Sequence, residues 1–251
     1  MLAIMSPARN THPASLVGME PDCPLFPHKT KQLVEVMRGY DPGELERLLD
    51  VSPEKALEIF VRYRQFDSAA PGTPALLAYY GAAFRNLNVQ DFDPEDFSFT
   101  REHLRILSAL YGLLRPADGI LPYRLGMQCD FKIDGQDLYA FWRDGIYKEL
   151  FRNGEPVINL ASIEYARLVT PYLTPKDHLI TCRFLIQKPG GGTRATVSTV
   201  RAARGQMARY LIKNRIAEPE GLKDFDWAGY RFIRSRSDSF NYVFIQDWKD
   251  A

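Results

Sequence analysis

The segment Val157-Ile158-Asn159-Leu160-Ala161-Ser162 decides how this chain folds. Its first five residues are almost entirely apolar, which is typical of a strand that is covered on both faces of a sheet. Ser162 then offers a capping side chain to residues 163–169, which predicts a helix directly after the strand. A buried strand that feeds a helix belongs in the middle of a sheet, so we place this strand at its centre.

Most of the other strand signals lie in the second half of the chain, as short runs rich in β-branched and aromatic residues. Residues 2–5 are an apolar run near the start that we place beside the central strand. Gly190-Gly191-Gly192 supplies the positive φ angles of a tight turn and predicts an antiparallel hairpin. The predicted strands span residues 2–5, 157–161, 179–186, 194–200, 230–233 and 242–245.

Helical periodicity dominates residues 28–110. Asp41-Pro42 and Ser52-Pro53 each place a capping side chain before a proline, which predicts helices over 42–49 and 53–65 that meet at a tight turn. This outline is typical of a helix-turn-helix or a helix-hairpin-helix element. Further helices are predicted over 75–86, from Thr100 through Leu104, Leu107 and Tyr111 to a stop at Gly112, over 136–151 and over 201–216.

The composition is that of an ordinary globular protein, with 251 residues of which 45% are hydrophobic and 25% charged. We expect one α+β domain over residues 1–251. It contains a mixed β-sheet flanked by helices, and its helical N-terminal half, with the helix-hairpin-helix-like element, forms a lobe at about 28–110 packed on the sheet.

Several classes of protein find no support in the sequence. The first apolar run is too short for a signal peptide, and no stretch reaches the length that crosses a bilayer. The three cysteines, Cys23, Cys129 and Cys182, are far apart, which argues against disulfides and a zinc site. No phosphate-binding glycine loop, nucleophile elbow or HExxH motif occurs. We therefore expect a cytoplasmic monomer without membrane contact, metal or cofactor.

Charge is segregated along the chain although the net charge is only +1. Residues 183–236 hold 12 basic and 4 acidic residues, whereas the remainder holds 20 basic and 27 acidic residues. The helix predicted over 201–216 carries its cations on one side, with no carboxylate in the helix itself. This pattern predicts a surface that binds DNA phosphates through Arg201, Arg204, Arg209, Lys213 and Arg215. The alternative is a solvated helix whose arginines meet acidic partners from elsewhere in the fold.

A second candidate site follows from the donors between residues 105 and 124. The group contains Arg105, Arg115, Asp118, Tyr123 and Arg124, with Ser108 and Tyr111 between them. Arginine forks bind phosphates or carboxylates, and an aspartate orients one arginine while the others face a ligand. The alternative is a structural network of arginine and aspartate that locks an irregular loop.

A third candidate site lies where the central strand ends. Asn159, Ser162 and Glu164, with Tyr165, stand at a strand end followed by a helix N-terminus, where open sheets bind anionic ligands. The Ser6-Pro7-Ala8-Arg9 segment shares this edge if strand 2–5 is the neighbour. The alternative is that Ser162 is only a helix cap and Glu164 only a carboxylate favoured by the helix dipole.

Six strings in a fixed order resemble the peroxide stress protein YaaA family over nearly the whole chain. They are Ser6-Pro-Ala-Arg9, Arg105-Ile-Leu-Ser-Ala-Leu-Tyr-Gly-Leu-Leu-Arg-Pro116 with Asp118, Pro122-Tyr-Arg-Leu-Gly-Met127, Leu138-Tyr-Ala-Phe-Trp142, Ile158-Asn-Leu-Ala-Ser162 with Glu164 and Tyr165, and Ala203-Arg-Gly205 with the positions that follow it up to Tyr230.

The resemblance implies a role in resistance to hydrogen peroxide by limiting damage from free intracellular iron. It also implies an α+β fold with a basic cleft for duplex or distorted DNA, and a helix-hairpin-helix element, which we assign to residues 42–64. The family usually has lysine in place of Arg9 and glutamate in place of Gly126. The turn at 48–53 lacks the glycines that let such a hairpin approach phosphate, so the basic helix is the preferred DNA contact.

Two hypotheses follow from these features. The first is a non-enzymatic protein that binds DNA largely without regard to sequence. The rival is an enzyme for a small anionic metabolite or nucleotide. In the rival Arg105, Arg115 and Arg124 hold the anion, Asp118 or Glu164 acts as base, and Tyr123 or Ser162 acts as donor or nucleophile. The sequence leaves open whether the protein is an enzyme.

Overall fold

The computed structural model describes residues 1–15 and 19–247, and it has a mixed sheet with helices packed around it. The strands are β1 (Leu2–Met5), β2 (Asn10–Thr11), β3 (Thr73–Pro74), β4 (Tyr79–Tyr80), β5 (Leu104–Ser108), β6 (Gly112–Leu114), β7 (Gly119–Ile120), β8 (Val157–Leu160), β9 (Leu179–Gln187), β10 (Thr193–Arg194), β11 (Tyr230–Phe232) and β12 (Asn241–Gln246). The helices are α1 (Pro27–Gly39), α2 (Pro42–Leu49), α3 (Pro53–Arg64), α4 (Ala75–Ala78), α5 (Ala82–Leu87), α6 (Pro94–His103), α7 (Leu138–Trp142), α8 (Gly145–Leu150), α9 (Ile163–Ala166) and α10 (Val197–Lys213).

The main sheet has the strand order β11-β12-β9-β8-β1-β5-β6, and β10 pairs with β9. The pairs β12–β9, β9–β8, β8–β1 and β1–β5 are parallel, while β6, β10 and β11 pair antiparallel with their neighbours. The chain runs from β1 to β5 on one side and then crosses to β8 on the other. The order of strands therefore reverses around β1, and open sheets bind ligands at such a switch point.

The predicted α+β class and the central position of β8 are confirmed. All four residues of β8 are buried, and Leu2 to Met5 pair in register with Val157 to Leu160. The hairpin at the three glycines also forms, but β10 contributes only two residues to it. None of the helices within the described ranges has the length and apolar character needed to cross a membrane.

The predicted strand over 194–200 is wrong after its first residue. Thr196 caps a helix instead, because its side chain accepts a hydrogen bond from the Thr199 backbone N–H, and α10 begins at Val197. The β-branched residues in this stretch suggested a strand. A capping threonine at the start of a 17-residue helix outweighed that local preference.

The predicted helix from Thr100 to Tyr111 is also wrong. Helix α6 begins at the Asp93 capping box and ends at His103, and the next residues form β5 beside β1. Leu104 and Leu107 are completely buried in the sheet. A short apolar run fits a buried strand as well as a helix, so its spacing alone misled the prediction.

Two other predicted helices are interrupted. The 75–86 segment is divided into α4, β4 and α5, and the 136–151 segment breaks at Arg143, whose φ is 49°. Helices α2 and α3 lie where predicted, joined through Asp50 in the left-handed conformation at φ 48°. The helix-hairpin-helix assignment is not confirmed, since the turn has an aspartate where a phosphate-binding hairpin needs glycine.

Helix α10 packs closely on α5 at a single glycine. A Cβ added to Gly205 would lie 2.0 Å from the carbonyl oxygen of Ala83, so only glycine allows the two backbones to approach this closely. On the same helix, Met207 and Leu211 are fully buried. This contact fixes the position of α10, and with it the position of its charged side chains.

We expect Gly205→Ala to destabilise the protein by about 2 kcal/mol. Overpacking against a backbone atom costs about 3 kcal/mol, and the better helix propensity of alanine offsets about 1 kcal/mol of it. Gly145→Ala is the control, because a Cβ on this glycine would have no neighbour within 4 Å. Denaturant unfolding measures both variants, and equal stabilities would contradict the close-contact argument.

Candidate functional site

Two serines meet at the edge where the parallel strands β1 and β8 end. The backbone N–H of Ser162 donates to Ser6 Oγ at 2.8 Å, and the Ser6 hydroxyl lies 3.1 Å from that of Ser162. Ser162 occupies the N-cap position of α9, but its side chain makes no capping hydrogen bond. Its hydroxyl instead contacts Ser6 at the strand edge. The structure therefore brings together two residues that the sequence predicted there.

Three buried hydroxyls form a chain beside this edge. Tyr123 Oη lies 2.8 Å from Ser108 Oγ, at the end of β5, and 2.9 Å from Tyr79 Oη. Burial raises the pKa of both tyrosines, which keeps them in the neutral form at physiological pH. The two hydrogen bonds use two of the three hydroxyl protons, so the chain leaves one donor on the α5 side of the edge, where Tyr79 packs on Phe84.

Arg124 and Arg9 lie next to each other at the same edge. Arg124 Nη1 donates to the backbone carbonyl of Arg9 at 3.3 Å, and Tyr63 Oη holds the Arg124 carbonyl at 3.1 Å. Burial and the nearby Arg9 charge both lower the pKa of Arg124. Among residues 1–15 and 19–247, neither guanidinium forms an ion pair with a carboxylate. The edge therefore carries two like charges without a direct carboxylate partner among the described residues.

Cys129 lies close to both Arg124 and Glu164. Burial raises the pKa of the Cys129 thiol, with Arg124 opposing and Glu164 assisting the shift. A Cβ on Gly126 would lie 3.6 Å from Cys129 Sγ and 3.9 Å from Glu164 Oε1. Glu164 thus supplies a carboxylate next to Gly126. The sequence did not indicate Cys129, whose only signal was its distance of two residues from the Pro122–Met127 string.

Asn159 has a positioning role. Its side-chain oxygen accepts from the Ala161 backbone N–H at 2.9 Å, and its amide donates to Thr181 Oγ1 at 3.2 Å. Both polar groups of the side chain are therefore bound within the protein. They fix the turn that carries the chain from β8 to Ser162.

Arg105, Arg115 and Asp118 do not join Arg124. Arg105 lies near the start of β5, away from Ser108, and donates to the carbonyls of Arg101 and Leu104. Arg115 Nε donates to the fully buried Asp118 at 2.8 Å, and the Arg115 backbone N–H donates to the same carboxylate. This is the loop-locking network that the sequence left open as the alternative for this group.

The predicted basic surface of α10 divides into two halves. Arg209 forms two hydrogen bonds of 2.7 Å with Asp91, and Lys213 donates to Asp96 at 2.5 Å. Arg215, which lies two residues beyond the end of α10, also donates to Asp96 at 2.6 Å. Acidic residues from the loop and helix before β5 therefore neutralise the C-terminal half. Arg201 and Arg204, in the N-terminal half, have no such partner in the described part of the chain.

No group of three histidine, cysteine, aspartate or glutamate side chains within reach of one metal ion occurs in the ranges 1–15 and 19–247. The polar groups at the strand edge are two arginines, hydroxyls, one thiol and one carboxylate. This combination suits an oxyanion held by guanidinium groups.

Fold and site together define an α+β protein with a mixed sheet, whose polar side chains gather at the carboxyl ends of its central parallel strands. Comparison with known proteins agrees with the resemblance in the sequence. The family model described as peroxide stress protein YaaA matches residues 1–236, and the chain belongs to this family.

Relatives of this chain are similar over nearly their whole length. A UPF0246 protein of Limosilactobacillus reuteri is 36% identical over 246 residues, covering 97% of this chain and 98% of that protein. One of Parabacteroides distasonis is 38% identical over 262 residues, covering 98% and 100%. One of Clostridioides difficile is 30% identical over 248 residues, with the same coverage. Membership in the family supports a role in peroxide stress.

We expect Asp96→Asn to lower the melting temperature by about 4–8 °C, since losing charge-assisted hydrogen bonds from Lys213 and Arg215 costs about 2 kcal/mol after screening by water. Burial alone would raise the pKa of Asp96, but hydrogen bonds from Lys213, the Asp93 cap and Arg215 outweigh it and lower that pKa.

The lowered pKa sets the pH range in which this contribution is lost. A carboxylate with a depressed pKa stabilises the fold above its unfolded-state pKa of about 3.9, and the contribution disappears as pH falls through the folded-state value. The melting temperatures of wild type and Asp96→Asn should therefore converge as the pH falls below about 3.9. A constant difference in melting temperature between the two proteins down to the lowest pH would contradict the proposed ion pairs.

Proposed function

We propose that this protein contributes to peroxide resistance by binding DNA through its phosphate groups at the edge formed by β1, β5 and β8. The observation that carries the proposal is the pair of adjacent arginines, Arg9 and Arg124, without a carboxylate partner among the described residues. Two like charges held together repel each other, and a ligand of opposite charge would relieve that repulsion.

The chemistry of guanidinium groups supports a phosphate ligand. Arginine presents a planar fork of donors that matches the oxygens of a phosphate, and Arg9 is exposed to solvent where a backbone can reach it. Contacts of this kind position a protein on DNA without reading its sequence. We therefore propose binding that is largely independent of sequence, to duplex or distorted DNA, by a monomer in the cytoplasm.

The proposed contact differs from the one that the charge pattern favoured. Arg209, Lys213 and Arg215 already donate to carboxylates, so a phosphate would have to displace Asp91 or Asp96 to reach them. Asp96 is only 1% exposed, which makes that exchange costly. The proposal therefore gives the phosphate contact to the strand edge rather than to the C-terminal half of α10.

The connection with iron is proposed to be indirect. A protein bound along the DNA backbone would shield it from radicals that intracellular iron generates from peroxide. This route needs no bound iron, because the proposed protection acts on DNA and depends only on phosphate contacts.

A second candidate is an enzyme that acts on a small anionic metabolite or nucleotide. The hydroxyl chain of Ser108, Tyr123 and Tyr79 supports it, because a buried polar network beside an anion site is a feature of small-molecule pockets that a backbone phosphate does not require. In this reading Arg124 holds the anion and Glu164 is the candidate base, with Ser162 as donor or nucleophile. We do not assign Arg105, Arg115 and Asp118 to this site. Arg105 donates to a backbone carbonyl and Arg115 donates to Asp118, and neither interaction involves Arg124.

Salt-dependent binding to a short duplex tests the DNA proposal. We expect log K to fall linearly with log salt concentration, and Arg9→Gln and Arg124→Gln each to weaken binding roughly tenfold. Each variant should also reduce the slope by about 0.9. Fluorescence anisotropy over a range of salt concentrations measures both quantities.

Arg209→Gln is the matched control, because it removes the same charge from a residue that already binds Asp91. We expect it to leave the slope unchanged. The proposal fails if affinity does not depend on salt, or if the control lowers the slope as much as the two edge variants do. Loss of nucleotide binding with unchanged duplex binding in Arg124→Gln would favour the enzyme instead.

A further inference from the structure

We infer that Arg204 and Arg201, on the N-terminal half of α10, form a second anion subsite that takes one phosphate group of a ligand held at the strand edge. The inference rests on the proposed function for the identity of that ligand. It names a second contact and predicts a ligand with at least two phosphate groups. Both a nucleic-acid strand and a small polyphosphate have this chemistry.

The first support is an unsatisfied buried donor. Arg204 Nε is completely buried and has no hydrogen-bond partner among the described residues, although the side chain as a whole is partly accessible. A buried donor on a charged group without an acceptor is strongly unfavourable, and native proteins rarely leave one unless a ligand or water completes it. Burial and the Arg201 charge also lower the pKa of Arg204.

The residues within 1–15 and 19–247 supply no counter-charge to Arg204. Arginine does not lose its proton in proteins, so Arg204 remains a cation. The titratable groups that face it are Arg201, which carries the same charge, and the Cys182 thiol on β9. Burial raises the pKa of Cys182 to about 12, so this thiol is neutral at physiological pH and cannot act as the counter-charge.

The contrast within one helix strengthens the case. Arg209 forms an ion pair with Asp91, and Lys213 forms one with Asp96. The fold therefore supplies carboxylate partners to the cations in the C-terminal half of α10. At the other end of the helix, the described residues supply none to Arg201 and Arg204. Among the described residues, the uncompensated charge of α10 is therefore confined to its N-terminal half.

A continuous set of contacts connects this half of α10 with the loop that carries Arg9. Gly205, the next residue after Arg204, packs on Ala83 at the start of α5. A Cβ on Gly81, which precedes α5, would lie 3.1 Å from Cβ of Ala8, the neighbour of Arg9. Strand β2, which follows Arg9, pairs with β4, which precedes Gly81. The backbone that carries Arg204 is thus connected through α5 to the loop that carries Arg9.

Pyrophosphate and a short duplex are the two probes for a calorimetric titration at constant ionic strength. We expect Arg201→Gln and Arg204→Gln each to weaken pyrophosphate binding about tenfold, because each removes a charge-assisted hydrogen bond. Arg231→Gln is the matched control, an exposed arginine of β11 at the far end of the sheet, and it should stay within about twofold of wild type.

A stability measurement separates binding from a structural role. Arg204→Met removes an uncompensated buried charge and keeps a long side chain, so we expect the melting temperature without ligand to rise by about 2–4 °C. The same variant should lose the increase in melting temperature that pyrophosphate gives to wild type. A structural arginine would show the opposite sign, with a lower melting temperature and an unchanged response to pyrophosphate.

The outcomes distinguish this inference from the DNA proposal. If Arg201→Gln and Arg204→Gln bind both probes as the control does, the second subsite is refuted, whatever Arg9 and Arg124 do. If they lose pyrophosphate binding while wild type does not bind the duplex, the subsite stands and its source is a small polyphosphate. Loss of both probes assigns it to the DNA backbone. Arg201 is exposed, so its variant decides the question even if Arg204→Gln does not fold.

Discussion

Parallel pairing of β1 with both β8 and β5 is the constraint on which the arrangement of the site depends. Parallel strands end at the same edge, so the register of Met5 with Leu160 and with Ile106 carries three distant parts of the chain to one place. Ser6, Ser108 and Ser162 then follow or complete these strands within a few residues. The packing of α10 on α5 adds the charged helix to the same structure. A shift of β1 by one residue would turn its side chains to the opposite faces and separate the two serines.

The sequence predicted the part of the fold that local patterns determine. The apolar run at 157–161 and the proline-preceded caps of α2 and α3 each identify their element from a few adjacent residues. The strand β5 was missed because Leu104, Leu107 and Tyr111 also fit a helical spacing, and only the pairing with β1 selects the strand. That pairing joins residues about a hundred positions apart, so no window of the sequence contains it.

The sequence predicted where the candidate site lies, but it predicted only some of the residues that the structure places there. Residues that directly follow a central strand, such as Ser162, are placed by the strand itself. The excess of basic residues over 183–236 did not predict which of them remain without an ion pair, because the carboxylates that bind Arg209 and Lys213 come from residues 91 and 96. Cys129 was missed since it enters the site through a loop without a repeating pattern. Charge balance is a property of the folded surface, and sequence segments do not report it.

The state of the thiols has a consequence for a protein of the peroxide stress family. Hydrogen peroxide oxidises the thiolate form of cysteine and reacts slowly with the neutral thiol. Burial raises the pKa of Cys129, at the strand edge, and of Cys182, beneath α10, so both sulfur atoms stay protonated. Sulfenic acid formation at these positions is therefore disfavoured. The fold thus protects these two thiols, at the strand edge and beneath α10, against the oxidant that the family name describes.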